Sequence, residues 1–232
     1  MWVVVLAESA IEKVPEEIVS HPVVRKAASR RRKSPHELIL DSSIMMPAMK
    51  SLEDSRKRGR PDIVHVASLL CLESIPYAEG VIDYVIHTYD DQVITFTRGV
   101  RIPKNYLRFI GLFEQLFKVG RVPPSSEQPL IRVRALSFSE LMSEIAPKYT
   151  VALSDAGEIV HLPSYVKSLS SIDNVCWVIG GFPHGELSHR VLDHVDDVIS
   201  IYRAPLHVWT VISELLTVFR YCLVEGCFVS QA

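Results

Sequence analysis

The chain reads as an α/β protein with a mainly parallel sheet. Three observations point that way. Short and almost continuously apolar runs recur, at Trp2–Leu6, Thr150–Leu153, Val175–Ile179 and Val198–Ile201; strands buried on both faces have this character. Segments of helical character separate them. Small and turn-forming residues follow each of the last three runs. The chain has 232 residues, 48% hydrophobic and 22% charged, a composition that supports a sizeable core.

Taken in order, Trp2–Leu6 reads as a buried first strand and not a signal peptide, since Glu8 follows at once and no basic stretch precedes it. His21–Lys33 suggests a short helix entered near Pro22 that runs into a basic connection. Glu37–Leu40 reads as a short strand. Ile44–Arg60 is polar and basic without a clear period and reads as a loop. Ile63–Leu72 is helical, with Pro61 just ahead and Asp62 near its positive N-terminal end. Val81–Thr88 and Gln92–Thr97 are strands around the turn Tyr89-Asp90-Asp91. Pro103 opens a helix to about Lys118, and Gly120 lies just past its end. Tyr106, Phe109, Ile110, Phe113, Leu116 and Phe117 supply its core side. Val122–Ser126 is an exposed connection. Leu130–Leu136 alternates like a strand, and Ser137 with Glu140 has capping-box spacing ahead of a short helix. After the three short strands comes a helix over Val208–Val224. Its polar residues Thr210, Ser213, Glu214, Thr217 and Arg220 form a narrow stripe. The wide apolar remainder fits a core helix, or one that also meets a second subunit.

The formal net charge of −2 hides a division. Residues 1–134 carry 20 Lys and Arg against 16 Asp and Glu, whereas residues 135–232 carry 5 against 11. Two basic runs dominate: Arg25, Lys26, Arg30, Arg31, Arg32 and Lys33, then Arg56, Lys57, Arg58 and Arg60. Arg98, Arg101, Lys104 and Arg108 form a third cluster without an acid. Such clusters attract phosphate backbones by Coulomb attraction and counterion release. They point to a nucleic-acid partner, with solvated loops as the bland alternative for any single run.

Cys71, Cys176, Cys222 and Cys227 form no C-x-x-C pair, which argues against a zinc site or a disulfide framework and fits a reduced, cytoplasmic setting. No metal is expected: His184, His189 and His194 are spaced by five, which does not bring them to one helix face. Three segments at strand ends are the natural place for a cofactor, because ligands of open α/β sheets bind beyond the carboxyl ends of strands. They are Leu153-Ser154-Asp155-Ala156-Gly157, Gly180-Gly181-Phe182-Pro183-His184-Gly185 and Ile201-Tyr202-Arg203-Ala204-Pro205-Leu206. The chain lacks G-x-G-x-x-G and a phosphate-loop lysine, which counts against the usual dinucleotide and nucleoside triphosphate sites.

Several motifs then appear in a fixed order. They are Arg60-Pro61-Asp62-Ile63-Val64-His65, the stretch Arg101-Ile102-Pro103-Lys104-Asn105-Tyr106-Leu107-Arg108-Phe109-Ile110-Gly111-Leu112, the glycine-rich Gly180–Gly185 segment and Ala204-Pro205-Leu206. Together they resemble the SPOUT-class ribosome-biogenesis methyltransferases that modify a pseudouridine of small-subunit ribosomal RNA at ring nitrogen 1. The resemblance covers nearly the whole chain, and its length suggests the archaeal form. It implies one SPOUT methyltransferase domain over 1–232, with helices on both sheet faces, basic insertions and a C-terminal trefoil knot. An RNA-binding part would span about 20–120 and a knot region about 150–232. It also implies a homodimer, with ribosomal proteins or assembly factors as further partners. S-adenosylmethionine would bind at Leu153, Gly180, Gly185, Ile201, Tyr202, Arg203, Ala204, Pro205 and Leu206. The RNA contacts carried over are Arg60, Arg101, Lys104 and Arg108, with the basic runs gripping flanking phosphates. Lys104 stands where some relatives have arginine, which keeps the charge and loses the planar fork.

Arg60 and Asp62 are the candidate catalytic residues. Arg60 is expected to stabilise charge on the target base or to hold the flanking phosphate, with Asp62 fixing its guanidinium. An ion-paired carboxylate is a weak base, so Asp62 as proton acceptor is the lesser variant. The rival from another class is a non-enzymatic RNA-binding assembly factor whose glycine loops are purely structural. Donor binding separates the two.

Overall fold

The computed structural model describes residues 1–227; residues 228–232 of the expected single domain lie outside the described residues. In chain order the elements are β1 (Trp2–Ser9), α1 (Pro22–Arg31), α2 (Ser42–Met49), α3 (Pro61–Leu72), α4 (Ile75–Ala78), β2 (Ile82–Thr88) and β3 (Gln92–Phe96). There follow α5 (Tyr106–Val119), β4 (Arg121–Val122), β5 (Ile131–Ala135), α6 (Phe138–Ile145) and β6 (Tyr149–Ile159). The last are α7 (Leu162–Ser168), β7 (Val175–Gly180), α8 (His189–Leu192), β8 (Asp197–Ser200) and α9 (Val208–Val224).

All eight residues of β1 are buried, so it must lie inside the sheet with both faces covered. The observed order, β4-β5-β3-β2-β1-β7-β6-β8, has it there. The pairs β1–β2, β1–β7, β6–β7 and β6–β8 are parallel. The β2–β3, β3–β5 and β4–β5 pairs are antiparallel. Side chains alternate across each strand. Trp2, Val4 and Leu6 therefore meet apolar residues of α3, α5, α7 and α9 on one face. Val3, Val5 and Ala7 meet α6 and α8 on the other. The first face holds an aromatic cluster in which Trp2, Trp177 and Phe219 ring centroids lie 5.4–5.7 Å apart. Each such ring, fully buried, contributes about 2–3 kcal/mol by area. A third, smaller core holds α1 and α2 around Leu38 and Leu40.

Most expected elements are present, and the capping box is made: Ser137 N–H donates to Glu140 Oε2 at 2.8 Å and Glu140 N–H to Ser137 Oγ at 3.3 Å. Four expectations need correction. Glu37–Leu40 is not a strand; a 3-10 turn over Pro35–Glu37 precedes one isolated bridge, Lys13 to Ile39. The expected loop Ile44–Arg60 contains α2, capped by Asp41 through Ser43 N–H at 2.9 Å. Its buried Met45, Ala48 and Met49 have helical spacing, obscured by Pro47 inside the helix. The helix expected from Pro103 starts at Tyr106, because Asn105 Oδ1 accepts the Arg108 N–H and caps it. The strand expected over Thr150–Leu153 does not end at Leu153. It runs to Ile159 with a bulge, such that Leu153 and Glu158 both pair with Ile199.

Gly157 lies in that bulge, pressed against β8. A Cβ there would meet Val198 O and Ile199 C at 2.6 Å. Among the described residues no helix is long and apolar enough to cross a membrane.

The end of β1 and the turn that leaves it carry two buried carboxylates. Glu8 and Glu12 are each 2% exposed, and their partners Lys57 and Arg58 are each 9% exposed. Lys57 Nζ donates to Glu8 Oε2 at 2.5 Å, and Arg58 forks onto Glu12 at 2.8 and 2.7 Å. Burial alone would raise the Glu8 carboxyl. Hydrogen bonds from Lys57 and Ser188 outweigh it and hold the group below the ordinary 4.5.

Two expectations follow. Gly157→Ala should lower stability by about 1–3 kcal/mol in denaturant unfolding, because backbone on β8 cannot yield as a side-chain tip can. Glu8 has a depressed folded-state pKa, so its contribution is complete above its ordinary 4.5 and lost as pH falls through the folded value. The stability gap between wild type and Glu8→Gln should stay level from neutral pH down to that point and narrow below it. A gap that ignores pH would mean that Glu8 is not ionised in the folded protein.

Candidate functional site

The ends of β1, β7 and β8 and the bulge of β6 lie on one side of the sheet, since Ala7 pairs with Gly180, Leu153 with Ile179 and Leu153 with Ile199. A cavity of about 300 Å³ opens beyond those ends. Leu153, Gly180, Gly185, Ile201, Tyr202, Ala204, Pro205 and Leu206 line it, so eight of the nine expected donor-site residues converge. Arg203 is not among the lining residues; its guanidinium lies 5.9 Å from the Tyr202 ring. Ser154, Asp155, Phe182 and His184, all within the strand-end segments marked in the sequence, also line the cavity, and so do Glu186 and Val211, which were not singled out. Glu186 directly follows Gly185 in the chain. Val211 comes from the first turns of α9, which no strand-end motif marks.

Glycine is needed at the base of the wall. A Cβ on Gly180 would stand 2.7 Å from the Phe182 ring, and one on Gly181 would stand 2.3 Å from Ser9 Oγ. Gly181 N–H donates to Ala7 O and Gly181 O accepts from Ala10 N–H, both at 2.8 Å. The far end of the loop is tied to Glu8 by Ser188, through its backbone N–H at 3.2 Å and its hydroxyl.

The second cluster begins where the chain enters α3. Arg60 Nε and Nη2 donate to the two oxygens of Asp62, each at 2.8 Å, in a bidentate fork. The Asp62 hydrogen bond is the main reason that the Arg60 pKa is raised. Partial burial pushes the Asp62 carboxyl upward, but the Arg60 pair prevails and holds it below 3.8. Asp62 is therefore a poor proton acceptor. Tyr106, expected purely as a core side chain, donates its hydroxyl to Asp41 Oδ2 at 2.7 Å, and burial pushes that hydroxyl's pKa up. Asp41 and Tyr106 join this cluster without any short-range signal in the sequence.

His65, buried on α3, donates Nε2–H to the Pro103 carbonyl at 2.7 Å and stacks on Phe109, centroids 4.3 Å apart. This contact fixes the segment that presents Arg101 and Lys104. Arg101 and Arg108 are exposed and have no ion pair among the described residues. Lys104 is exposed and 3.4 Å from Glu73. The two clusters are linked by backbone: Arg60 N–H donates to Ala10 O at 3.0 Å, and Ala10 N–H to Gly181 O.

The basic runs are only partly available for phosphate. Lys57 and Arg58 are committed to Glu8 and Glu12. Arg31 and Lys33 clamp Glu114 of α5, whose side chain is 1% exposed. Arg98 pairs with Asp83 at 2.6 Å. Each of these cations answers a carboxylate of the fold, so only part of each run is free to meet flanking phosphates. Arg25, Lys26, Arg30, Arg32 and Arg56 remain exposed and without an ion pair among the described residues.

Comparison with known proteins agrees with this geometry. The family described as EMG1/NEP1 methyltransferase matches residues 4–220. A protein of Methanothrix thermoacetophila named ribosomal RNA small subunit methyltransferase Nep1 is 44% identical over 222 residues, covering 95% of this chain and 96% of its own length. Its namesake in Thermococcus onnurineus is 42% identical over 217 residues, covering 94% and 97%. The crystal structure of Archaeoglobus fulgidus Nep1 bound to S-adenosylhomocysteine superposes with a TM-score of 0.84 at 31% identity, covering 96% of this chain and 98% of that one. With that span and that likeness, the chain belongs to the EMG1/NEP1 methyltransferase family.

Proposed function

We propose that this protein transfers the methyl group of S-adenosylmethionine to ring nitrogen 1 of a pseudouridine in small-subunit ribosomal RNA, in the cytoplasm, and so serves small-subunit biogenesis. The observation that carries the reading is the strand-end cavity lined by eight of the nine residues expected for the donor. Support comes from the family match and from relatives named as small-subunit ribosomal RNA methyltransferases.

The lining fits such a donor. Leu153, Ile179, Ile199, Leu206 and Val211 offer apolar walls, and the backbones of 180–185 and 201–206 offer polar groups. Gly180 and Gly181 keep the base of the wall free of side chains that would clash. When bound, the donor supplies a sulfonium methyl that is electrophilic without further activation.

On the acceptor side, Arg60 is positioned by Asp62 and by the Ala10 carbonyl. A planar guanidinium held this way either stabilises negative charge growing on the ring oxygens or grips the flanking phosphate. Arg101, Lys104 and Arg108 supply further RNA contacts from the N-terminal end of α5. Holding the two reactants in line contributes about 7–11 kcal/mol toward the barrier. In this reading the RNA-binding part spans about 20–120 and the donor part about 150–232, within one domain. The knot reading draws support from β6, which lies between β7 and β8 although both follow it in the chain. The homodimer reading draws support from Val66, Tyr221 and Val224, apolar residues left exposed on α3 and α9.

The test is methyl transfer from labelled donor to a small-subunit RNA fragment. Label should enter the fragment containing pseudouridine and not the same fragment containing uridine. Label in neither, with no donor binding by calorimetry, would leave only an assembly factor. Asp62→Asn should leave folding intact and cut transfer by about 10- to 100-fold, the loss of one charge-assisted contact. Wild-type transfer and RNA affinity in that variant would remove Arg60 and Asp62 from their assigned roles.

A further inference from the structure

Lys57 belongs to a basic run, yet its ammonium faces inward. It donates to Glu8 Oε2 at 2.5 Å and to the Glu186 carbonyl at 2.6 Å, and it lies 4.2 Å from the centroid of the Phe182 ring. Phe182 and Glu186 both line the cavity. The Phe182 ring in turn lies over Gly180, another lining residue. Between them His184 and Gly185 are exposed, and Gly185 has a φ of +99°. The loop is thus anchored at Gly181 and Ser188, and Lys57 ties its middle to β1.

We infer that Lys57 is a positioning residue for the methyl donor: its ammonium, neutralised by Glu8, holds the Phe182 and Glu186 wall in the shape that binds S-adenosylmethionine. The inference deepens the proposed function and rests on its donor site. A carbonyl bond to a charged donor and a desolvated cation over an aromatic ring are each strong enough to set a loop's position. Lys57 is also three residues before Arg60, so one short segment steadies the donor wall and carries an acceptor residue. Lys57 touches no reacting atom in this account. Its effect runs through Phe182 and Glu186.

The experiment compares wild type, Lys57→Met and the double variant Glu8→Gln/Lys57→Met, with S-adenosylhomocysteine as the calorimetric probe, well below each unfolding temperature. The single variant strands a buried carboxylate and is exposed to folding failure. The double variant removes both charges at similar volume, a replacement that buried pairs tolerate. The double variant should unfold cooperatively and bind the probe about tenfold more weakly. Its KM for the donor should rise, while kcat at saturating donor and RNA affinity stay within about twofold of wild type. Probe affinity within about twofold of wild type in a folded double variant would overturn the inference. So would a parallel fall in RNA affinity, or a double variant that does not fold, since either makes Lys57 merely structural. A wild-type protein that binds no probe would sink the donor site itself, and the inference with it.

Discussion

Two carboxylates without access to water dominate this structure. Glu8 sits at the end of the central strand and Glu12 in the turn that leaves it, each 2% exposed. An ion taken out of water loses several kcal/mol of solvation, and only a close, well-oriented counter-ion with further hydrogen bonds offsets that. Lys57 and Arg58 meet the need side by side. Their bonds fix the stretch that leads into α3 and leave Arg60 where its N–H reaches Ala10. Glu8 itself has a φ of +47°, a left-handed conformation that costs a residue with a side chain about 1–3 kcal/mol. Its contacts with Lys57 and Ser188 counter that cost.

The same turn explains why the two clusters are close. In a parallel sheet every strand ends on the same side, and the connections leaving those ends share one surface. β1 and β7 are paired neighbours, so the turn after β1 lies against the loop after β7. Gly181 accepts from Ala10, and Ala10 accepts from Arg60. Two backbone hydrogen bonds thus separate the start of α3 from the base of the cavity wall. A methyl donor and an RNA base have to be brought together, and this topology brings their candidate sites together without a long flexible element.

What could be read from the chain divides along sequence distance. Strand runs such as Val175–Ile179, the Ser137–Glu140 cap and the final helix are encoded within a few residues, and all are present. The strand-end glycines also act locally, and Gly180 and Gly185 do line the cavity. The bulge of β6 and the partners of the basic runs could not be read. The bulge depends on backbone contact between Gly157 and β8, some forty residues on. The ion pairs of Arg31, Lys33, Lys57 and Arg58 span 46 to 83 residues in the chain. The helix α2 is a different case: its cap Asp41 and its spacing at Met45, Ala48 and Met49 were both visible, and Pro47 and the surrounding polar residues hid them.

A count of charges therefore overstates the positive surface of the N-terminal half. A cation that closes on a buried carboxylate adds almost no net field at a distance, because the pair is neutral. Lys57 and Arg58 form one such pair each, and Arg31 and Lys33 share Glu114. What is left facing water in the three clusters is Arg25, Lys26, Arg30, Arg32 and Arg56, together with Arg101, Lys104 and Arg108. Counterion release follows cations that reach phosphates, so these residues, and not the paired ones, are the candidates for phosphate contact. The paired cations act on the ligand sites by shaping them. Lys57 is the clearest case: a charge that looks from its run like phosphate grip is spent inside the protein, where it braces the wall of the donor cavity.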